Sequence, residues 1–250
     1  MPLFRSLPLI VALVLALAVP ASQAADEIPP AQRSAFEKLI RDYLVRNPEV
    51  LLEAMDALEK KRERERQQTA GQRIRENRAE LFEAKHDYVA NPDGRIPVVE
   101  FFDYNCGYCK RVYPAIMAMQ SREKDVRLIF KELPILGPAS EFAAKAAFAA
   151  KRQGKYMPFH NALMARRGGL SNAAVMDVAG RLGLDLDRLR KDMKDPKIAA
   201  MIERNRKLAN TMEIRGTPSM VIGPHFVPGA IDGEQMAALI DNARSNCQVC

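Results

Sequence analysis

Residues 96–110, IPVVEFFDYNCGYCK, put a continuous apolar run directly ahead of two cysteines separated by two residues. A run this rich in β-branched and aromatic side chains predicts a buried strand from Ile96 to Phe102, opened by the turn signal Asn91-Pro92-Asp93-Gly94. After the cysteines, Val112, Ile116 and Met119 recur at helical spacing, with Pro114 as an interruption or kink. The stretch VRLIF at 126–130 reads as a second strand. Strand, helix, strand implies parallel strands joined by a crossover helix, and so an α/β fold.

Beyond PILGPAS the apolar period stays helical for a long way. Ser140 is a natural cap for a helix whose Phe142, Ala146, Ala149 and Ala150 suit close packing, and GGLS at 168–171 interrupts the helical pattern before Asn172 resumes it. Strand character returns only at SMVIG, 219–223, and HFVPG, followed by a final helix from about Gly233 to Arg244. A helical insertion of about residues 138–212 thus divides a strand-helix-strand body within residues 86–250.

The chain begins differently. Residues 1–24 carry one basic residue, Arg5, then an apolar stretch from Leu7 to Val19, Pro20, and the small residues Ser22 and Ala24. That is the layout of a cleaved secretory signal, and the apolar stretch is short for a membrane span. Export to an oxidising compartment, the periplasm, follows as the expectation. Residues 25–85 form an amino-terminal helical segment. Phe36, Leu39, Ile40, Tyr43 and Leu44 share one helical face; Asn47 and Pro48 suit the start of a second helix, whose face is Val50, Leu51, Ala54, Met55 and Leu58. The charged stretch EKKRERER gives nothing to a core, and Gly71 marks a soft point in a protruding stalk. These apolar faces either fold back on the chain's own body or join copies into a homo-oligomer through residues 25–84.

Four cysteines in 250 residues are too few for a disulfide-built scaffold. Two C-x-x-C pairs, Cys106/Cys109 and Cys247/Cys250, leave three readings open: thiolates that bind zinc or capture copper, structural staples, or a disulfide made and broken in use. If a helix begins at the first pair, Cys106 lies where free backbone N–H groups and the positive dipole end favour a thiolate, while Cys109 sits one turn further in. A client thiolate attacking the oxidised pair at Cys106 then gives a mixed disulfide, and neither direction of exchange needs a cofactor or a metal. Glu100, in the apolar run, is expensive to bury charged and is a candidate proton carrier for Cys109, with Lys131 as a candidate ionic partner. The Gly216-Thr217-Pro218 turn invites a cis peptide that would present Thr217 backbone groups to an extended client strand. The tail pair Cys247/Cys250 reads as a local disulfide, a shuttle to the first pair, or a metal clip. His86, His160 and His225 are scattered and read as packing or surface residues. The formal charge of +7 is mild, favours acidic clients, and comes without a basic-aromatic module that would point to nucleic acid.

FFDYNCGYCK, KELPILGP, the helical insertion and RGTPSMVIG resemble the DsbA-like branch of the thioredoxin superfamily over about residues 85–245. The resemblance implies a thioredoxin-like fold with a helical insertion, in which Cys106 is the nucleophile, Cys109 the resolving cysteine, Glu100 the buried acid and Pro218 the cis-proline. The amino-terminal helices resemble those of DsbA-like proteins of the Com1 and ScsC type, where such an extension can mediate oligomerisation. Gly107-Tyr108 and Thr217 resemble the active site of the isomerase DsbC, where DsbA has Pro-His and Val. The implied activity is isomerase or reductase action on exported, cysteine-containing proteins, with dithiol oxidation as the alternative. A membrane or soluble redox partner would reset the pair.

Overall fold

The structure, a computed structural model, describes residues 29–246. Residues 1–24 and the pair Cys247/Cys250 therefore lie outside the described residues. The chain divides into two compact units between Glu59 and Lys60.

The first unit holds helix α1 (Pro30–Arg46) and the opening turns of helix α2 (Glu49–Glu76). Asn47 closes α1 instead of opening α2: its backbone and side-chain N–H groups both donate to the Tyr43 carbonyl, at 2.8 and 2.9 Å. Two donors on one orphan helix-end carbonyl outweigh the N-cap role its sequence position suggests. Phe36, Leu39, Ile40 and Tyr43 of α1, with Leu51, Leu52, Met55 and Leu58 of α2, are 46–66% exposed.

The second unit begins with the remaining turns of α2 and continues through α3 (Arg78–Phe82), β1 (Tyr88–Ala90), β2 (Ile96–Phe102), α4 (Gly107–Arg122) and β3 (Val126–Glu132). Five helices follow: α5 (Pro138–Arg152), α6 (Tyr156–Ala165), α7 (Asn172–Arg181), α8 (Leu186–Met193) and α9 (Pro196–Thr211). Strands β4 (Ser219–Ile222) and β5 (His225–Pro228) and helix α10 (Gly233–Asn246) complete it. The sheet order is β1-β3-β2-β4-β5, with β2 and β3 parallel and every other pair antiparallel. The crossover helix predicted between the two apolar runs is α4.

Both faces of the sheet are covered, which is why β2 reads as an apolar run interrupted by Glu100 alone. Val98 and Phe102 face the larger cluster, with Leu128, Phe130, Met220, α4 and the inserted helices; Val99 and Phe101 face the smaller one, with Ile129, Val221, Leu208 and Met212. Ile74, Leu81 and Phe82 also belong to the smaller cluster. That packing corrects the expectation of a soft point at Gly71. Helix α2 runs through Gly71 without a break, because Ala70 and Ile74 bury one face of it at 6% and 0% exposure. Burying an Ile side chain contributes about 1.5–3 kcal/mol, more than the roughly 1 kcal/mol a helical glycine costs.

Two further local readings are overturned by tertiary packing. Helix α4 passes through Pro114 unbroken, held by the burial of Cys109, Val112, Tyr113, Ile116 and Met119. Ser140 does not cap α5; Gly137 takes that place ahead of Pro138, and Ser140 is buried inside the helix, where its Oγ accepts a hydrogen bond from Asn105 Nδ2 at 3.0 Å.

Candidate active site

Strand β2 delivers the site by ending at Phe102, and the next residue builds the turn. The Asp103 carboxylate accepts the Asn105 N–H at 2.7 Å through one oxygen and the Ile135 and Leu136 N–H groups at 2.9 and 3.0 Å through the other. Its carbonyl accepts the Cys106 N–H at 3.0 Å. A buried carboxylate so supplied with backbone donors locks the approach to α4 and ties it to the 135–136 loop. Asn105 extends the tie: besides Ser140, it accepts the Leu170 N–H at 2.6 Å.

Cys106 is the N-cap of α4, with φ −73° and ψ 114°, and its sulfur accepts the Cys109 N–H at 3.3 Å. On the other side the Cys106 thiol donates to the Thr217 carbonyl at 3.1 Å. Both thiols are reduced; Cys106 is 5% exposed and Cys109 is fully enclosed. Burial pushes the Cys109 thiol well up, and the charges of Glu100 and Cys106 add to that shift. The Thr217-Pro218 peptide is cis, and a cleft of about 180 Å³ runs beside it, lined by Arg215, Phe226, Pro228 and Gly229 among others.

Glu100 is fully buried, and neither carboxylate oxygen has a hydrogen-bond partner among the described residues. Burial without a partner pushes its carboxyl up to about 8. Strand parity puts it on the face of Val98 and Phe102, beneath α4, where its charge acts on Cys109 and Tyr113. Lys131 is not its partner. Phe130 is opposite Glu100 in the parallel register, so Lys131 points to the other face, where it pairs with Asp87 and donates to the Glu80 carbonyl.

A second buried polar group escaped the sequence reading. Tyr104 and Tyr156 each donate to Glu132 Oε1 at 2.9 Å, and with its hydrogen so used Tyr104 accepts from His160 Nδ1 at 3.0 Å. Burial pushes the Glu132 carboxyl well up and the His160 imidazole down to about 3. His160 is thus a neutral core residue ringed by Phe102, Tyr113 and Phe130, in line with its reading as packing. His86 and His225 bond Asn205 and Asn242. Among the described residues no three His, Cys, Asp or Glu side chains gather as a metal ion would require.

The N-capping cysteine that follows an apolar strand thus lies opposite a cis-proline loop, and residues 97–241, which hold both, match the DSBA-like thioredoxin domain. The chain belongs to that family. Residues 32–65 also match the copper resistance protein ScsC N-terminal domain. A thioredoxin-like oxidoreductase from Silicibacter pomeroyi DSS-3 superposes with a TM-score of 0.67 at 41% identity, over 68% of this chain and 99% of that one. The catalytic domain of Proteus mirabilis ScsC does so with a TM-score of 0.65 at 26% identity, over 70% of this chain and 99% of that one. Among curated sequences, the Na(+)/H(+) antiporter NhaA 1 of Salinispora arenicola (strain CNS-205) is 31% identical over 160 residues, 63% of this chain and 24% of the antiporter. The chain spans about a quarter of the length of the curated relatives it matches. The DsbA-like chain accordingly has a thioredoxin-like fold. Among its described residues no helix is long and apolar enough to cross a membrane.

Proposed function

We propose that this protein is an exported, periplasmic thiol-disulfide isomerase or reductase that acts on the disulfides of other proteins through Cys106 and Cys109. The observation that carries the reading is the setting of Cys106: an N-cap sulfur facing a backbone N–H at 3.3 Å on one side and the Thr217 carbonyl at 3.1 Å on the other. The first contact steadies a thiolate, and the second holds the place where an extended client would run past it.

In isomerisation the Cys106 thiolate attacks one sulfur of a wrong client disulfide. A Cys106–client disulfide forms, the client's own S–S bond breaks, and the freed client sulfur leaves as a thiolate. That thiolate attacks elsewhere in the client, and a client sulfur finally displaces Cys106, so no net oxidation occurs. If the client stalls, Cys109 displaces it and the pair ends oxidised. Attack by Cys109 requires loss of a proton that burial holds tightly, and Glu100 beneath it is the group to take that proton and to return it when Cys109 is the leaving sulfur. Thr217 and Pro218 line the client's path, and a separate redox partner resets the pair.

The direction of flux follows Gly107-Tyr108 and Thr217, together with the exposed apolar faces of α1 and α2, which suit self-association through residues 25–84. Several exchange sites facing one client favour isomerisation; an isolated site favours dithiol oxidation, the second reading. Recovery of activity from a scrambled multi-disulfide protein, measured beside oxidation of the same protein reduced, separates the two. Because Ile74, Leu81 and Phe82 are core residues, the informative deletion removes residues 25–59 only. Isomerase activity in the full mature chain that falls at least tenfold in the deletion supports the reading. Oxidation without isomerisation in the full mature chain contradicts it.

A further inference from the structure

The rim of the candidate site is built from three chain segments that carry only one kind of uncompensated charge. On α4, Lys110 follows Cys109, and the exposed Arg111 lies over the exposed Tyr108 ring at 4.9 Å. The segment after α6 is fastened to this helix end: Lys110 Nζ donates to the Arg166 and Gly168 carbonyls at 2.9 Å each, and Asn105 holds the Leu170 N–H. The segment that carries Arg166 and Arg167 is thereby tied to Lys110 in the first turn of α4 and to Asn105 ahead of Cys106. On the opposite side Arg215, exposed, lines the cleft that contains Thr217 and Pro218.

The acids of these segments are already taken. Asp103 is buried against backbone N–H groups, and Glu213 is paired with Arg73 at 2.5 Å. Arg166, Arg167 and Arg215 make no ion pair among the described residues, and the Arg166 Nε is buried without a partner. Burial, and after it the charge of Arg166, pushes the Lys110 ammonium down, and the smaller opposing pull of the buried Asp103 carboxylate does not reverse it. The remaining side of the rim is apolar, with Ile135 and Leu136 exposed at 45% and 53% on the loop held by Asp103.

We infer that the site selects client cysteines flanked by acidic residues, whose carboxylates are met by Arg166 and Arg167 on one side and Arg215 on the other. The inference rests on the thiol-exchange reading of Cys106 and adds the substrate class. Positive potential concentrated around one reactive sulfur raises both the encounter rate and the residence of an anionic segment, by about tenfold or more at low ionic strength.

The test uses the full mature chain with Cys109, Cys247 and Cys250 replaced by alanine, leaving Cys106 as its one thiol. Three peptides that differ only in whether acidic, neutral or basic residues flank a single cysteine are each capped as a 2-pyridyl disulfide. Attack by the Cys106 thiolate forms the Cys106–peptide disulfide and expels pyridine-2-thiolate, which takes up a proton and is read by absorbance. The acidic peptide reacts at least about tenfold faster than the neutral one at low salt, the basic peptide reacts slowest, and high salt compresses the series. In the Arg167→Glu, Arg215→Glu double variant the acidic peptide loses its advantage over the neutral one and the basic peptide becomes the fastest of the three, whatever the change in their common rate. Equal rates for the three peptides, or a preference that survives both high salt and charge reversal, would overturn the inference and leave thiol exchange standing. Three unreactive peptides would overturn both.

Discussion

Glu100 is the residue whose energetics and proposed chemistry are most tightly joined. The folded chain holds its proton up to about 8, against an ordinary value of 4.5. Its contribution to stability is therefore complete below about 4.5 and is lost as pH rises through about 8, since the unfolded chain ionises first. Glu100→Gln removes that loss, so the variant gains on the order of a few kcal/mol over the parent at pH 8 and little at pH 4, as urea unfolding at the two pH values would show. The same variant slows resolution by Cys109 by about tenfold or more while leaving formation of the first mixed disulfide unchanged. Rapid-quench measurement of the two steps checks this, and equal slowing of both would point to a merely structural acid. His160 works with the opposite sign: its imidazole stays neutral down to about 3, so the stability it contributes is lost as pH falls below its ordinary 6.5.

Helix α2 shows how an element can have two characters. Its Lys60–Gln68 stretch is exposed throughout, and its ion pair Arg66–Glu63, at 2.9 Å, is a surface contact of little energetic weight. Ile74, two turns further on, is fully buried in the smaller cluster. Ile74→Ala should lower unfolding free energy by about 2–5 kcal/mol, measured by denaturant titration of the full chain, and a loss below about 0.5 kcal/mol would show that α2 is not part of the core. This is also where the sequence misleads. Gly71 and Pro114 look like breaks because local propensity is all that a sequence window displays. Each helix continues because burial of its neighbours outweighs the local cost. Strand β1 was invisible for another reason: three half-buried residues at a sheet edge carry no period to detect.

For the molecule as a whole, β2, α4, β3 and the return to strand at 219 were legible because long apolar runs and helical spacing survive without tertiary information. The start of a helix at the cysteine pair and the cis Thr217-Pro218 turn were legible as well. The groups that hold the site together were not. Asp103 acts through N–H groups of residues 135 and 136, and Tyr104 through Glu132 and His160, partners that only the folded sheet brings near. Lys131 was a candidate ionic partner of Glu100 by charge alone, and the parallel register sends the two to opposite faces of the sheet. The whole arrangement sets the Cys106 sulfur between the Cys109 N–H and the Thr217 carbonyl, with Cys109 fully buried behind it. The most direct measurement is mass spectrometry of the Cys109→Ala full mature chain after incubation with a scrambled disulfide protein under non-reducing conditions. A mixed disulfide joining a client cysteine to Cys106, absent when Cys106 is replaced instead, is the predicted result. Adducts that form equally without Cys106, or only through Cys247 and Cys250, would contradict it.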